Sequence, residues 1–335
     1  KREDYVMRKL LLTSSALVTA ASISSYAVAD VSVTGAFEWA YTSTSSNIAA
    51  TDGDSQTTNN ELTIKFTNKT DSGLTITGVY DIDADASAID ESWMSVSGGF
   101  GTLKLGKDVG ANDDFGIGEH DLIAEDLSVI QASASIVANS GEQGAADTTK
   151  INYTTPAMGG FRAGYSIYDS GTADAATDQI AMGAEYTMPM AGGSLMIRYN
   201  KQTTDGTVAA ETEASNYGVK LSMGAATIIA SRGASTIGSG SSQTDDRTAN
   251  GVGLSYNLGG GMSVAATTMK AEDDKDLSGT TPESYTANLA EVVYTVAPGL
   301  TAKVTYLDYD YKAGGESLAT NDSGSKTQFT LSASF

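Results

Sequence analysis

The feature that most constrains this chain is a period of two in its apolar residues, sustained over segment after segment and never replaced by a period of 3.6. Val31, Val33, Phe37, Trp39 and Tyr41 alternate with Ser32, Thr34, Glu38 and Ala40. Leu62, Ile64 and Phe66 alternate with Thr63, Lys65 and Thr67, and Phe329, Leu331, Ala333 and Phe335 with Thr330, Ser332 and Ser334. Successive side chains of a strand point to opposite faces, so each segment has one apolar and one polar face. Sixteen such segments begin near Asp30, Asn60, Leu74, Asp90, Thr102, Thr148, Phe161, Asp178, Ser194, Ser215, Ala225, Arg247, Met262, Ser284, Leu300 and Lys326.

The connections between segments alternate in character. After odd segments they are mostly long and polar: residues 42–59, 108–147, 169–177, 201–214, 234–246, 271–283 and 311–325. After even segments they are short and rich in Gly or Pro: residues 69–73, 98–101, 156–160, 189–193, 224, 259–261 and 298–299. An even number of strands with short turns at one end and long loops at the other predicts a closed antiparallel sixteen-stranded transmembrane β-barrel, turns periplasmic and loops external. Tyr41, Tyr80, Tyr168 and Tyr199 are expected near the external rim, and Phe161, Tyr186, Tyr256, Tyr294 and Phe335 near the periplasmic one, as two aromatic girdles.

The beginning of the chain reads differently. Met7-Arg8-Lys9, an apolar run over residues 10–21 and Ala27-Val28-Ala29 have the order of a secretory signal peptide, with cleavage expected after Ala29. Residues 1–6 read as sequence upstream of the initiator Met7. The expected division is therefore residues 1–29, removed, and 30–335, the barrel. Residues 1–29 hold four basic and two acidic groups, so the whole chain's net charge of −21 becomes −23 for the expected mature protein. That sign excludes nucleic acid as a partner. One histidine and no cysteine leave little for thiol or metal chemistry.

Two stretches carry a resemblance: Ser97-Gly98-Gly99-Phe100-Gly101-Thr102-Leu103-Lys104-Leu105-Gly106-Lys107 and Lys150-Ile151-Asn152-Tyr153-Thr154-Thr155-Pro156-Ala157-Met158-Gly159-Gly160-Phe161. With the terminal Phe335, they resemble the general (diffusion) porin family of Gram-negative outer membranes, particularly its alphaproteobacterial kind; Ala333 departs from the Tyr or Phe often found at that position. The resemblance implies a water-filled channel for ions and small hydrophilic solutes and a homotrimer in the outer membrane. It implies a third loop folded into the lumen and recognition of Phe335 by the barrel-assembly machinery.

By that resemblance residues 108–147 are the constriction loop, with Asp113, Asp114, Glu119, Asp121, Glu125 and Asp126 as its acids. Lys65, Lys104, Lys150, Arg162 and Arg198 lie on polar strand faces and are expected to point into the lumen opposite them. Opposed charges across a narrow pore create a transverse field and set ion preference, here modestly for cations. Solvated surface charge is the alternative for the acids, and rim placement the alternative for the basic residues.

No catalytic residues are expected. His120 stands between Glu119 and Asp121, but no Gly-x-Ser-x-Gly elbow accompanies it. Gly116-Ile117-Gly118 lacks the rest of a nucleotide-binding fingerprint. Asp81, Asp83 and Asp85 resemble the start of a calcium loop, but Ala86 and Ser92 stand where its Gly and bidentate Glu belong, leaving at most weak, structural calcium binding. Acidic external loops could contact lipopolysaccharide phosphates through divalent ions. A substrate-selective channel on the same barrel, or a non-transport outer-membrane protein, remain as alternative functions. An aromatic slide or a basic ladder at the constriction would mark the first.

Overall fold

The computed structural model describes residues 29–49, 51–86, 88–124, 148–168, 178–204, 211–238, 245–274, 282–312 and 321–335. The expected signal peptide lies outside these residues but for its last residue, Ala29, and Glu125 and Asp126 lie outside them too. Sixteen antiparallel strands close into one barrel. They are β1 Asp30–Ser46, β2 Gly53–Lys69, β3 Thr75–Asp83, β4 Ala88–Gly98, β5 Gly101–Asp108, β6 Thr148–Thr154, β7 Phe161–Tyr168 and β8 Gln179–Met190. Then follow β9 Gly193–Thr204, β10 Thr212–Met223, β11 Ala226–Ile237, β12 Asp245–Gly259, β13 Met262–Asp273, β14 Glu283–Ala297, β15 Leu300–Lys312 and β16 Asp322–Ser334.

Each strand pairs with its neighbours in sequence, and β16 returns to β1 with Phe37 opposite Ala333 and Trp39 opposite Leu331. The terminal residue completes this seam. Phe335 N–H donates to Gly35 O at 2.9 Å, Gly35 N–H donates to Phe335 O at 3.2 Å, and the Phe335 ring meets Phe37 edge-on at 5.9 Å. A closed ring leaves no unpaired edge, which is what a sheet in hydrocarbon requires.

The alternation sorts side chains as the sequence predicts. Val33, Tyr80, Met94, Ile151, Tyr165, Ile197, Val219, Leu254, Val304 and Phe329 all point outward and are at least 40 % exposed. Asn152, Asn200, Asn216, Thr305 and Thr330 point inward and are buried. Short turns join the even strands to the odd ones. The turn after β10 is residues 224–225, where Gly224 takes φ +57°, a conformation that side chains other than hydrogen rarely adopt.

Two expectations need correction. The first long connection, expected over residues 42–59, shrinks to 47–52. β1 and β2 stay paired out to Thr44 opposite Gly53, through a stretch of Ser, Thr, Gln and Asp. Above the apolar band, ladder pairing no longer needs apolar side chains, so polarity alone marks the end of the band and not of the strand. Tyr168 does not join the external girdle: it lies opposite Gln179 and shares the lumenal face with Arg162 and Ser166. A one-residue difference in register reverses a side chain's face.

Ile64 sits between the outward-facing Val33 and Tyr80, while Thr63 faces inward and donates to Asp81 Oδ1 at 3.0 Å. A lipid-facing Arg costs up to about 2–4 kcal/mol, and Ile64→Arg should destabilise the barrel on that scale. Thr63→Arg should cost much less. Urea unfolding of barrels refolded into lipid vesicles measures both, and equal losses would contradict the register.

Candidate functional site

The described part of the connection from β5 to β6, residues 109–124, enters the barrel and lies against its inner wall. It carries a single helical turn, α1 (Ala111–Asp114), and a 3₁₀ turn, Glu119–Leu122. α1 rests on β6 to β9, and the 3₁₀ turn on β11 to β13. Buried backbone must find hydrogen-bond partners, and the wall supplies them from β7, β9, β10, β14 and β15. Ser166 accepts from Ala111 N–H at 2.9 Å, and Asn200 donates to Phe115 O at 3.3 Å. Arg198 donates to Gly116 O at 2.8 Å. Asn216 clasps Ile117 from both sides, accepting from its N–H at 3.1 Å and donating to its carbonyl at 3.0 Å. At the far end Glu291 accepts from Ala124 N–H at 2.8 Å and Lys303 donates to Ala124 O at 3.3 Å. The loop's apolar residues Phe115 and Ile117 are driven into the wall and are 0 % and 2 % exposed.

The expected acids divide. Asp113 and Asp114 are half-buried on α1, and Asp114 accepts from Asn152 Nδ2 at 2.8 Å. Asp121 keeps an exposed carboxylate, 36 % accessible, beside His120 Nε2 at 3.4 Å and accepting from Gly118 N–H at 3.1 Å. Glu119 does not face the lumen. It is buried at 4 % exposure and accepts from Ser231 Oγ at 3.0 Å, which makes it an anchor of the loop. Its place in a Gly-Glu-His-Asp run gives no sign of this, because burial is decided by which wall strand passes behind it.

The expected basic residues do not form one row opposite the acids. Arg162 and Arg198 share Glu185, with N–O distances of 3.3 and 2.7 Å, on the same wall that carries the loop. The Arg162 guanidinium also stands 5.2 Å from the centre of the Phe115 ring, in range of a cation–π contact. Lys104 pairs with Asp108 and stands over the Trp93 ring at 4.8 Å. Lys150 is buried and donates to Asp108 O at 2.9 Å. These four hold the root and the first half of the loop. Lys65, on β2, is exposed.

Across the lumen the wall is acidic. Register puts Glu38 of β1, Glu61 of β2, Asp81 and Asp83 of β3 and Glu91 of β4 on the inner face. Glu38 is held by Lys303 at 3.0 Å and Ser332 at 2.5 Å. A polar cleft of about 420 Å³ separates this wall from the described end of the loop, lined by Glu38, Thr57, Asn59, Ala124, Lys303 and Gln328.

Asp81, Asp83 and Asp85 do not converge on a common point. Asp81 accepts from Thr63 and Ile82 N–H, Asp83 from the N–H groups of Asp85 and Ala86, and Asp85 from Thr58, Asn60 N–H and Asn60 Nδ2. Asp83 closes the β3–β4 turn while Asp81 and Asp85 tie it to β2, and among the described residues no group of three or more acids or histidines is placed to hold a metal ion.

The pattern of the Gram-negative porin family matches residues 13–335. The chain belongs to this family. It is an outer-membrane porin, and family and fold together point to a channel without enzymatic activity. Among solved structures it is similar to the anion-selective porin from Comamonas acidovorans, with 18 % identity and a TM-score of 0.65 over 92 % of this chain and 100 % of that one. It is also similar to a mutant of the Rh. blastica porin, with 15 % identity and a TM-score of 0.61 over 91 % and 100 %. A third is outer-membrane-expressed OmpT of Vibrio cholerae, with 14 % identity and a TM-score of 0.66 over 93 % and 99 %. No curated protein matches the chain. At these identities the structural likeness speaks to fold alone.

Sequence reasoning did not single out Ser166, Glu185, Asn200, Asn216, Glu291 or Lys303 as the residues that hold the porin's inner loop. A signal that could have pointed to them is Phe115 and Ile117, two large apolar side chains inside an otherwise acidic and glycine-rich stretch. Arg198→Met keeps the aliphatic body but removes the bonds to Gly116 and Glu185. It should loosen the loop by about 2 kcal/mol, read as roughly thirtyfold faster amide exchange at Ile117. Arg162→Met should do less, because Arg198 still neutralises Glu185.

Proposed function

We propose that this porin is a passive channel for ions and small hydrophilic solutes with a modest preference for cations, set where the inner loop narrows the lumen. The observation that carries this reading is the placement of charge. Asp113, Asp114 and Asp121 sit on the loop, and Glu61, Asp81, Asp83 and Glu91 share the inner face across from it. Of the basic residues nearby, Lys104, Arg162, Arg198 and Lys303 are each paired with a carboxylate. A narrow passage with acids on both sides concentrates cations and repels anions. The transverse field expected from an acid row facing a basic row is correspondingly weak. The sign of the preference belongs to these residues and not to the barrel, since the similar Comamonas porin is anion-selective.

A nutrient-selective channel would present an aromatic slide to its solute. Of the described lumenal tyrosines, Tyr168 is half-buried, and Tyr285, Tyr309 and Tyr311 are only 2–3 % exposed, packed with Leu307 and Met269. This favours the unselective reading. One of the similar structures is the trimer form of Vibrio OmpT, which supports a homotrimer here. Phe335, with 78 % of its surface exposed, suits recognition of the last strand by the barrel-assembly machinery. Residues 7–29 serve as the export signal in this reading, and the acidic external loops meet lipopolysaccharide through divalent ions.

The test is the reversal potential under a salt gradient in planar bilayers. Asp113, Asp114 and Asp121 changed together to Asn should shift it toward anion permeation. The wild-type preference should weaken as salt rises, because the Debye length falls from ~10 Å at 0.1 M to ~3 Å at 1 M. Glu119→Gln should leave selectivity nearly unchanged. An unmoved reversal potential in the triple variant would sink the assignment of the loop as the constriction.

A further inference from the structure

Between the wall side chains that bond it, the inner loop lies over a series of glycines. Gly164 on β7, Gly183 on β8, Gly218 on β10, and Gly251 and Gly253 on β12 all point inward beneath it. A Cβ at Gly164 would stand 2.4 Å from the Phe115 ring, and one at Gly183 2.5 Å from Phe115 Cβ. At Gly218 it would meet Ala230 O of β11 at 2.7 Å and Ile117 Cγ2 at 2.8 Å, at Gly251 the Glu119 carboxylate, and at Gly253 both Leu122 Cδ1 and Thr267 Cγ2 at 2.8 Å. None of these five has a positive φ among the backbone outliers, so turn geometry does not explain them. Their common property is the loop seated on them.

We propose that these wall glycines set the solute size limit of the pore, by fixing how closely the constriction loop approaches the wall. The inference rests on the reading above that this loop narrows the lumen. Gly183 is the strongest determinant. The atom it would strike is Phe115 Cβ, which no rotation of the ring can remove, and the ring is fully buried. Ordinary carbon–carbon contact is about 3.5–4.0 Å, so a methyl group at Gly183 must push the loop inward by about 1 Å.

The test compares wild type, Gly183→Ala, Gly183→Ala with Phe115→Ala, and Phe115→Trp over the native glycines. Single-channel conductance in planar bilayers and swelling of proteoliposomes in neutral sugars of graded size are measured. Gly183→Ala and Phe115→Trp should each lower the conductance and slow the larger sugars more than the smaller. The double variant should return toward wild type. If Gly183→Ala yields no channels, Phe115→Trp tests the same contact from the loop side. Unchanged size discrimination in the variants that conduct overturns the proposal, as does a double variant no wider than Gly183→Ala. A shifted reversal potential in the Asp113/Asp114/Asp121 variant beside unmoved size discrimination defeats this inference alone. If neither quantity moves, the functional reading fails with it.

Discussion

Every backbone N–H and C=O that crosses the bilayer must be satisfied inside the protein, because hydrocarbon offers no partner and each orphan costs several kcal/mol. Among the described residues no helix is long and apolar enough to cross a membrane, and the chain meets that constraint with a closed sheet. The rest of the architecture follows from it. Closure requires β16 to meet β1, as the Phe335–Gly35 pair and the Phe37 and Trp39 contacts at the seam accomplish. Each strand then has one lipid face and one water face, which gives the period of two. With side chains alone distinguishing the faces, the backbone stays indifferent to sequence, and identities of 11–18 % coexist with near-complete overlap of the barrels.

The same demand recurs inside the lumen on a smaller scale. A loop pressed against the wall loses water from its own peptide groups, and here side chains from β7, β9, β10, β14 and β15 replace that water. Asn216 is the clearest case, since one amide satisfies both backbone groups of Ile117. Arg162, Arg198 and Glu185 show the electrostatic counterpart. Their charges are spent largely on one another and on the loop.

The barrel was legible in the sequence because its signals are local. Alternation, turn glycines and connection lengths each declare themselves within about ten residues. Fifteen of the sixteen strands begin within four residues of the expected position, and β2 departs because Ser, Thr and Gln pair beyond the apolar band as readily as within it. The inner loop was legible only as a long acidic insertion. Its contacts join residue 117 to 216 and residue 124 to 291, and no periodicity encodes which inward positions will lie beneath it. Glu119 and Asp121 have the same chemistry two residues apart, yet one is an anchor and the other exposed. Only the wall behind them distinguishes the two.

The seam also governs how the molecule can be made. Its two strands are the most distant in the chain, so the pairing that removes the last open edges joins segments almost 300 residues apart. Loop-closure entropy grows only logarithmically with length, by about 0.6 kcal/mol per doubling, but contacts this remote are slow to form. Until they do, β1 and β16 each expose a row of unpaired donors and acceptors flanked by Trp39, Phe329 and other large apolar groups. That is the surface on which unfinished sheets of two different molecules would join. A barrel closed by its termini is therefore kinetically vulnerable for as long as it stays open, and inert toward that association once the seam is made.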